Sequence, residues 1–351
     1  MKNVSRRAFL LTVLFAVILL SPIVLASSSS PVDEAYTTAS WPGGLIIDHT
    51  CVDLNLVPLQ YIDDAQDNVK IHYAHTSHGG QVTEGLARIE ASNATFDVSR
   101  ASLSLPTDAG ALCIYDGNAP HTYITPDLYW QGASATAITQ NTIDNNPTLT
   151  VSLWSWCTQV DSYDAAGIQE YLDTMTALEV ANPGITFVYM TGNAQATGSS
   201  GYNRWVNNEQ IRQYCLANDK ILFDFADLDA WSNGAQNTYA YDPGDGSVQV
   251  PTEHADFIGN EAAHTTYTSC EQKGKAFWWL VASLAGWNAP EPTTTTTSAT
   301  TTPSIPTTQT TSVTTSDTDP ISEAPDLMVI GTGLGLIGIL GVLSLLWSRR
   351  R

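Results

Sequence analysis

The sequence predicts an α/β fold, a three-layer α/β/α sandwich built on a mainly parallel sheet of five strands. The first observation behind this prediction is a series of short apolar runs, at residues 69–75, 111–115, 149–156, 185–192 and 220–228. Runs that are apolar throughout are typical of strands buried on both faces of a parallel sheet. The second observation is that helical patterns lie between most of these runs, which favours a sheet covered by helices on both faces.

The predicted helices carry apolar residues at the spacing of one helical face. Between the third and fourth strands, Ile168, Leu172 and Met175 recur every three or four residues, and Asn-Pro-Gly at residues 182–184 ends the pattern. Further helices are predicted near residues 82–89, 206–215 and 273–287. Because the last helix closes the pattern, the folded domain is predicted to span residues 41–288.

The residues that directly follow the predicted strands are polar. The first strand is followed by His-Thr-Ser-His-Gly-Gly at residues 75–80, and the second by Asp-Gly-Asn at residues 116–118. Ser-Trp-Cys-Thr-Gln at residues 155–159 ends the third strand, and residues 191–195 end the fourth. Ligands of open α/β sheets bind beyond the carboxyl ends of the strands, so we predict the functional site among these residues.

Residues 1–26 have the composition of an export signal. Basic residues precede a long apolar run, and small residues stand where a signal peptidase cleaves. The segment Ser-Arg-Arg-Ala-Phe-Leu also resembles a twin-arginine signal, so either an ordinary secretory or a twin-arginine route is open. A short linker at residues 27–40 leads to the domain.

The C-terminal part of the sequence predicts a membrane anchor. Residues 289–325 are rich in Thr, Ser and Pro and are predicted to form a disordered stalk. Residues 326–348 are predicted to form a transmembrane helix, and residues 349–351 are three arginines, which favour the cytoplasmic side. The expected location is the cell surface, with the main domain outside.

The chain is strongly acidic, with 35 Asp and Glu against 14 Lys and Arg and a formal net charge of −21. Six of the basic residues lie in the predicted terminal segments, so the domain itself is even more acidic. Such a surface repels the phosphate backbone, and we therefore exclude nucleic acid as a partner. An acidic surface suits a solvated position outside the cell.

Three histidines, His72, His75 and His78, lie close together in the sequence. Residues three apart in a strand point to opposite faces, so His72 is predicted to lie in the core, away from the other two. The sequence has no HExxH motif, and its five cysteines form no CxxC pair. We predict no metal and no other cofactor, with one alternative left open, a metal-dependent hydrolase that uses His75 and His78.

The order of these motifs resembles the SGNH (GDSL-like) hydrolase superfamily, as a divergent exported branch, over roughly residues 44–287. In that superfamily a nucleophilic serine follows the first strand, a glycine follows the second, and a Gly-x-Asn block follows the third. An acidic residue three positions before a histidine precedes the last helix, as Glu261 and His264 do here. The helix, Asn-Pro-Gly and strand over residues 171–192 are also similar to a family segment.

The resemblance implies specific roles for residues of this sequence. Ser77 would be the nucleophile, His264 the general base, and Glu261 the carboxylate that orients the imidazole. The predicted oxyanion and substrate-binding residues are Gly117, Gln159, Asn193 and His78. The sequence departs from the family pattern in two places: His75-Thr76 replaces Gly-Asp before the serine, and Cys157 stands in the third block, where a thiol is a poor oxyanion donor.

The function expected from this resemblance is that of a membrane-anchored extracellular serine esterase or acyl hydrolase, with O-acylated surface glycans as the substrate class. An ester or glycan substrate and the membrane are the expected partners, and the oligomeric state is left open. The altered blocks keep a different class open, a non-catalytic SGNH-like surface module that binds glycan or a protein partner.

Overall fold

A computed structural model of the chain describes residues 44–288. Its centre is a seven-stranded sheet of β1 (Ile46–Ile47), β2 (Lys70–His75), β3 (Val98–Ser102), β4 (Leu112–Asp116), β5 (Val151–Ser155), β6 (Thr186–Met190) and β7 (Ile221–Phe223). The strand order is β1-β7-β6-β5-β2-β4-β3, and every adjacent pair is parallel. The predicted signal, linker, stalk, transmembrane helix and basic tail lie outside the described residues.

The α/β class and the parallel sheet are confirmed, whereas the predicted number of five strands is wrong. The predicted strands are β2, β4, β5, β6 and β7, and β1 and β3 extend the sheet at its two edges. β1 has only two residues and β3 reads Val-Ser-Arg-Ala-Ser, so neither forms the apolar run that marks a buried strand. The run 220–228 is also not one strand, because β7 ends at Phe223 and Asp224 caps a short helix that follows.

In the described part of the chain, seven α-helices accompany the sheet: α1 (Leu59–Asn68), α2 (Gly80–Ser92), α3 (Gly132–Asp144), α4 (Ala165–Ala181), α5 (Gly198–Ala217), α6 (Phe225–Ala230) and α7 (Tyr267–Leu284). One buried apolar cluster joins one sheet face to α1, α2 and α7, and a second joins the other face to α3, α4 and α5. Trp154 and Trp156 lie together in the second cluster with ring centroids 4.8 Å apart. Two short hairpins, β8 (Trp231–Ser232) with β9 (Ala235–Gln236) and β10 (Thr238–Tyr241) with β11 (Val248–Pro251), follow α6.

Two glycines let α2 and α7 approach each other closely. A Cβ atom on Gly85 of α2 would lie 1.9 Å from the carbonyl oxygen of Cys270 in α7. A Cβ atom on Gly274 of α7 would lie 2.6 Å from the backbone of Gly85. Because neither contact tolerates a side chain, this crossing fixes where the N-terminus of α2 lies against the sheet.

The strand order places a crevice between β2 and β5. When the predicted strands β2, β4, β5, β6 and β7 are numbered 1 to 5 along the chain, they lie in the order 2-1-3-4-5 in the sheet. The chain therefore leaves β2 toward one edge of the sheet and leaves β5 toward the other. Ligands of open α/β sheets bind at such a switch point, outside the carboxyl ends of the strands. Residues that directly follow β2 and β5 are therefore the first to consider as a functional site.

Between residues 44 and 288, the structure contains no helix with the length and apolar character that crossing a membrane requires. All five cysteines are free thiols and all are buried.

Candidate active site

The segment after β2 turns sharply into α2. The chain passes from His75 through Thr76, Ser77 and His78 to Gly79, the N-cap of α2. A Cβ atom at Gly79 would lie 2.3 Å from the Cβ atom of His75, so glycine is what allows the helix to begin so close to the strand end. The turn places the side chains of Ser77 and His78 at the crevice between β2 and β5.

In the crevice, one hydrogen bond connects a thiol to an imidazole, and a second connects the imidazole to a side-chain amide. Cys157 follows β5, and its Sγ atom lies 2.8 Å from Nδ1 of His78. The other ring nitrogen of His78, Nε2, lies 2.9 Å from Oε1 of Gln195, which follows β6. The hydroxyl oxygen of Ser77 lies 3.5 Å from the same sulfur atom.

The surroundings of Cys157 favour the thiolate. Burial raises the pKa of this thiol, but hydrogen bonding and charge from His78 and hydrogen bonding from the segment after β2 outweigh burial and lower the pKa to about 5. Burial likewise lowers the pKa of His78, but its hydrogen bonds to Cys157 and Gln195 raise it overall. Both shifts stabilise a thiolate–imidazolium pair, and the nearby N-terminus of the 13-residue helix α2 adds a favourable dipole.

Three other cysteines, Cys51, Cys215 and Cys270, differ from Cys157 in the direction of their pKa shift. Burial raises the pKa of Cys51 and of Cys270 to about 11 in each case. Burial also raises the pKa of Cys215. A thiol reagent applied at mildly acidic pH is therefore expected to select Cys157 among these thiols.

Backbone donors lie at the start of α2, in the segment whose Ser77 and His78 side chains contact the sulfur atom. The amides of Gly80, Gln81 and Val82 donate to the carbonyls of Ser77, His78 and Gly79 in the first turn of the helix. The three preceding amides, at Ser77, His78 and Gly79, have no acceptor among the residues that the structure describes. Free N–H groups at a helix N-terminus stabilise developing negative charge, as an oxyanion requires.

Three of the residues predicted to bind the oxyanion or the substrate, Gly117, Gln159 and Asn193, each make hydrogen bonds within the protein. The amide of Gly117 donates to the carbonyl of Tyr73 at 3.0 Å. The side-chain oxygen of Gln159 accepts the amide of Cys157 at 3.0 Å and so fixes the backbone of that cysteine. Asn193 is fully buried; its Oδ1 accepts from Arg204 and from the amide of Gln195, and its Nδ2 has no partner within residues 44–288.

Glu261 and His264 do not form the hydrogen bond that a catalytic pair requires. Oε2 of Glu261 accepts the backbone amide of Tyr267 at 2.7 Å. His264 is exposed, and its ring stacks on that of His78 with centroids 4.9 Å apart. No hydrogen bond joins Ser77 to His264 in the described part of the chain. The structure brings His264 to the crevice as a neighbour of His78 and leaves Glu261 at the start of α7.

The clustered histidines separate, as strand geometry predicts. His72 is fully buried, with its ring nitrogens 2.9 Å from Oγ of Ser152 and 2.9 Å from the carbonyl oxygen of Gly117, and burial lowers its pKa to about 4. This confirms that His72 belongs to the core. Nε2 of His75 lies 3.1 Å from Oδ1 of Asp116, so His75 and His78 make different contacts.

One group of side chains in the described region has the spacing of metal ligands, and it lies away from these histidines. It consists of Asp48, His49 and Asp227, whose ligand atoms lie within 4.8 Å of one another. Nδ1 of His49 already contacts Asp227 at 2.5 Å. Because the group contains neither His75 nor His78, it offers no support for metal chemistry at the crevice.

A buried ion pair supports the loop that carries Gln195. Nζ of Lys273 lies 2.7 Å from Oδ1 of Asp229 and 2.6 Å from Oγ of Ser269, and both charged side chains are fully buried. Oδ2 of Asp229 accepts the amide of Ala194, the residue before Gln195, at 2.9 Å. The pair therefore links α7 and α6 to the loop after β6.

Replacing Lys273 by methionine is expected to destabilise the protein by about 3–5 kcal/mol, because Asp229 is left as an unpaired buried charge. The free energy of unfolding from urea titration measures this change. Lys275→Met on the same helix is the matched control and is expected to change the free energy of unfolding by less than about 1 kcal/mol, because Lys275 is only half-buried. Equal values for the two variants would contradict the supporting role of the pair.

The contacts of His78 with Cys157 and Gln195 were not predicted from the sequence. A usable signal was present, since cysteine, histidine and glutamine follow three strands of a parallel sheet whose carboxyl ends share one edge. The resemblance placed Cys157 in an oxyanion block and so directed attention to Ser77. A search of family models found no match to the chain, and neither did a search of curated proteins.

Proposed function

We propose that this chain is an acyl hydrolase in which the thiolate of Cys157 is the nucleophile and His78 is the general acid and base. The single observation that carries this proposal is the 2.8 Å contact between Sγ of Cys157 and Nδ1 of His78, with Nε2 of His78 on the amide oxygen of Gln195. The same order of thiol, imidazole and side-chain amide recurs in cysteine proteases of unrelated fold. A base in hydrogen-bond contact with a thiol is the usual means of activating cysteine.

The first half of the reaction forms a thioester. The sulfur atom attacks the carbonyl carbon of the ester, and the carbonyl oxygen becomes an oxyanion that the amides at the start of α2 stabilise. When the tetrahedral species collapses, the bond to the alcohol oxygen breaks, and that oxygen takes the proton from Nδ1 of His78. The alcohol leaves, and the acyl group remains on Cys157.

The second half returns the enzyme to its starting state. Neutral His78 takes a proton from water, and the resulting hydroxide attacks the thioester carbon. The carbon–sulfur bond then breaks, which releases the carboxylic acid and restores the thiolate–imidazolium pair. Gln195 accepts from Nε2–H of His78 in both halves and keeps Nδ1 directed at the reacting atoms.

The resemblance to SGNH hydrolases and the predicted position at the cell surface support acyl esters of surface glycans as the substrate class. The five predicted strands, numbered along the chain, lie in the order 2-1-3-4-5, and a crevice lies at the carboxyl ends of β2 and β5. Both features are compatible with such an enzyme. The predicted anchor at residues 326–348 would hold the domain near its substrate.

A serine mechanism is the second candidate. Ser77 stands at the N-terminus of α2, where its hydroxyl lies 3.5 Å from the sulfur of Cys157 and faces the same crevice. In this mechanism His264 would serve as the base. The experiments on Cys157, Ser77 and His78 distinguish the two mechanisms.

Alkylation with iodoacetamide at about pH 6 is expected to abolish ester hydrolysis in proportion to the modification of Cys157, since this thiol is already ionised there. Turnover of chromogenic acetyl esters by the full-length protein is measured alongside mass-spectrometric quantification of the modified peptide. Treatment with a chelator is the control and is expected to leave turnover unchanged. Full turnover by protein with alkylated Cys157 would overturn the cysteine mechanism.

A further inference from the structure

A glutamate lies next to the amide that holds His78. Oε1 of Glu253 accepts hydrogen bonds from Nε2 of Gln195 at 2.8 Å and from Oγ1 of Thr265 at 3.1 Å. The amide of Glu253 donates to the carbonyl of Ala194 at 2.9 Å. Glu253 is thus tied to the loop after β6 by its side chain and by its backbone, and a continuous chain of hydrogen bonds runs from Cys157 through His78 and Gln195 to Glu253.

We propose that Glu253 is a positioning residue for the Cys157–His78 pair, and that its ionised carboxylate acts through Gln195 to hold the charged form of His78. The inference rests on the proposed function, since it assigns a further residue to the same site. Glu253 touches neither sulfur nor imidazole in this chain of contacts, so its effect on the reaction is indirect.

Glu253 determines the orientation of the Gln195 side-chain amide. An ionised carboxylate only accepts hydrogen bonds, so the NH2 group of Gln195 must face Glu253. The same NH2 group donates to the carbonyl of His264 at 3.3 Å. The amide oxygen of Gln195 is then left to face His78, and His78 must carry a proton on Nε2 to donate to it. Glu253 thereby fixes which nitrogen of His78 exchanges its proton at the reaction centre.

The charge of Glu253 changes with pH near neutrality. Burial raises the pKa of this carboxyl group most, Asp229 at the end of α6 raises it further, and Thr265, Gln195 and Lys273 of α7 lower it, with a net value of about 7. The carboxyl group is therefore mostly neutral near pH 5 and mostly ionised above about pH 7.

The acidic and alkaline limbs of the pH profile of ester turnover are expected to respond differently when the charge of Glu253 is removed. On the acidic limb Cys157 loses its proton near pH 5, where Glu253 is neutral, so removing its charge changes nothing there. On the alkaline limb His78 loses its proton at a pKa raised above its ordinary value, and Glu253 ionises near pH 7, so we expect the carboxylate to stabilise the imidazolium there. Loss of the carboxylate should therefore shift the alkaline limb alone.

The test is the titration of His78 by NMR in full-length protein with 13C-labelled histidine, in wild type and in Glu253→Gln. The acid dissociation constant of His78 is expected to increase by about three- to tenfold in the variant, because a charge acting across one amide is partly screened. The alkaline limb of ester turnover should move to lower pH by the same factor, with the acidic limb unchanged. Glu253→Asp keeps the charge and is expected to restore at least half of the shift.

Glu271→Gln is the matched control, because Glu271 pairs with Arg88 and makes no hydrogen bond to the site residues within the described part of the chain. Its His78 titration should superimpose on that of wild type. Superposition of the Glu253→Gln titration on wild type would overturn the inference, as would equal displacement of both limbs. The NMR titration measures the protonation of His78 and does not depend on turnover. Failure of the cysteine mechanism would instead appear as ester turnover that survives alkylation of Cys157, whatever the Glu253 variants do.

Discussion

Replacing Cys157 by alanine is expected to lower ester turnover by about 10⁴-fold or more, because the nucleophile of the proposed mechanism is lost. Replacing Ser77 by alanine should retain turnover within about tenfold, since the variant keeps the backbone amide and loses only a hydroxyl that contacts the sulfur. Steady-state kcat/KM on one chromogenic acetyl ester, measured for both variants beside wild type, gives the comparison.

Cys113→Ala provides the control for removing a buried thiol. Cys113 lies in β4, and within the described residues its sulfur makes hydrogen bonds only to backbone carbonyls. Its variant is expected to keep turnover within about twofold of wild type, because nothing in the crevice changes. The opposite ranking, with Ser77→Ala inactive and Cys157→Ala active, would overturn the cysteine mechanism and select the serine mechanism.

The sequence predicted the central sheet because burial leaves a readable pattern. Strands covered on both faces are apolar throughout, and this is why β2, β4, β5 and β6 were found within one or two residues of their observed bounds. The edge strand β3 has solvent on one side and contains Ser99 and Arg100, so its composition resembles that of a loop. Its place in the sheet depends on pairing with β4, which the local sequence does not encode.

The sequence predicted that the segments after the strands meet at the candidate site, but it did not predict which of their side chains pair. Parallel strands bring the residues after β2, β5 and β6 to one edge, and the contacts of His78 with Cys157 and Gln195 confirm that these segments meet. Which side chains face each other depends on the turn after β2, where Gly79 starts the helix and sets the direction of His78. Strand alternation ends at His75 and gives no information beyond it.

The spacing Glu-x-x-His at residues 261–264 is compatible with more than one local structure. In this chain it forms a tight turn, with Ala262 paired to Thr265 and positive φ angles of 46° at Ala263 and 71° at His264. Two consecutive positive φ angles are typical of a type I′ turn. The spacing alone therefore predicted a histidine near the crevice without predicting its partner, which is the ring of His78 and not the carboxylate of Glu261.

Replacing His78 by asparagine is expected to raise the pKa of Cys157 from about 5 toward that of an isolated buried thiol, because the hydrogen bond and charge that offset burial are lost. At about pH 6.5 the thiolate fraction should then fall by about 10²-fold or more, and the alkylation rate with it. The rate of iodoacetamide modification of the Cys157 peptide, followed from about pH 4 to pH 10 by mass spectrometry, measures the pKa in both proteins. This measurement does not depend on knowing the substrate.

Two further variants make the result specific. His121→Asn replaces a half-buried histidine of the loop after β4, whose side chain makes no hydrogen bond to Cys157 or His78 in the described residues, and its alkylation profile should match that of wild type. His264→Asn separates the two mechanisms, because the serine mechanism places its general base there, whereas in the cysteine mechanism His264 only stacks on His78. An unchanged Cys157 profile in His78→Asn would show that the imidazole does not activate the thiol. A larger loss of ester turnover in His264→Asn than in His78→Asn would assign the proton transfer to His264, since a general base must exchange its proton with the reacting group in every turnover.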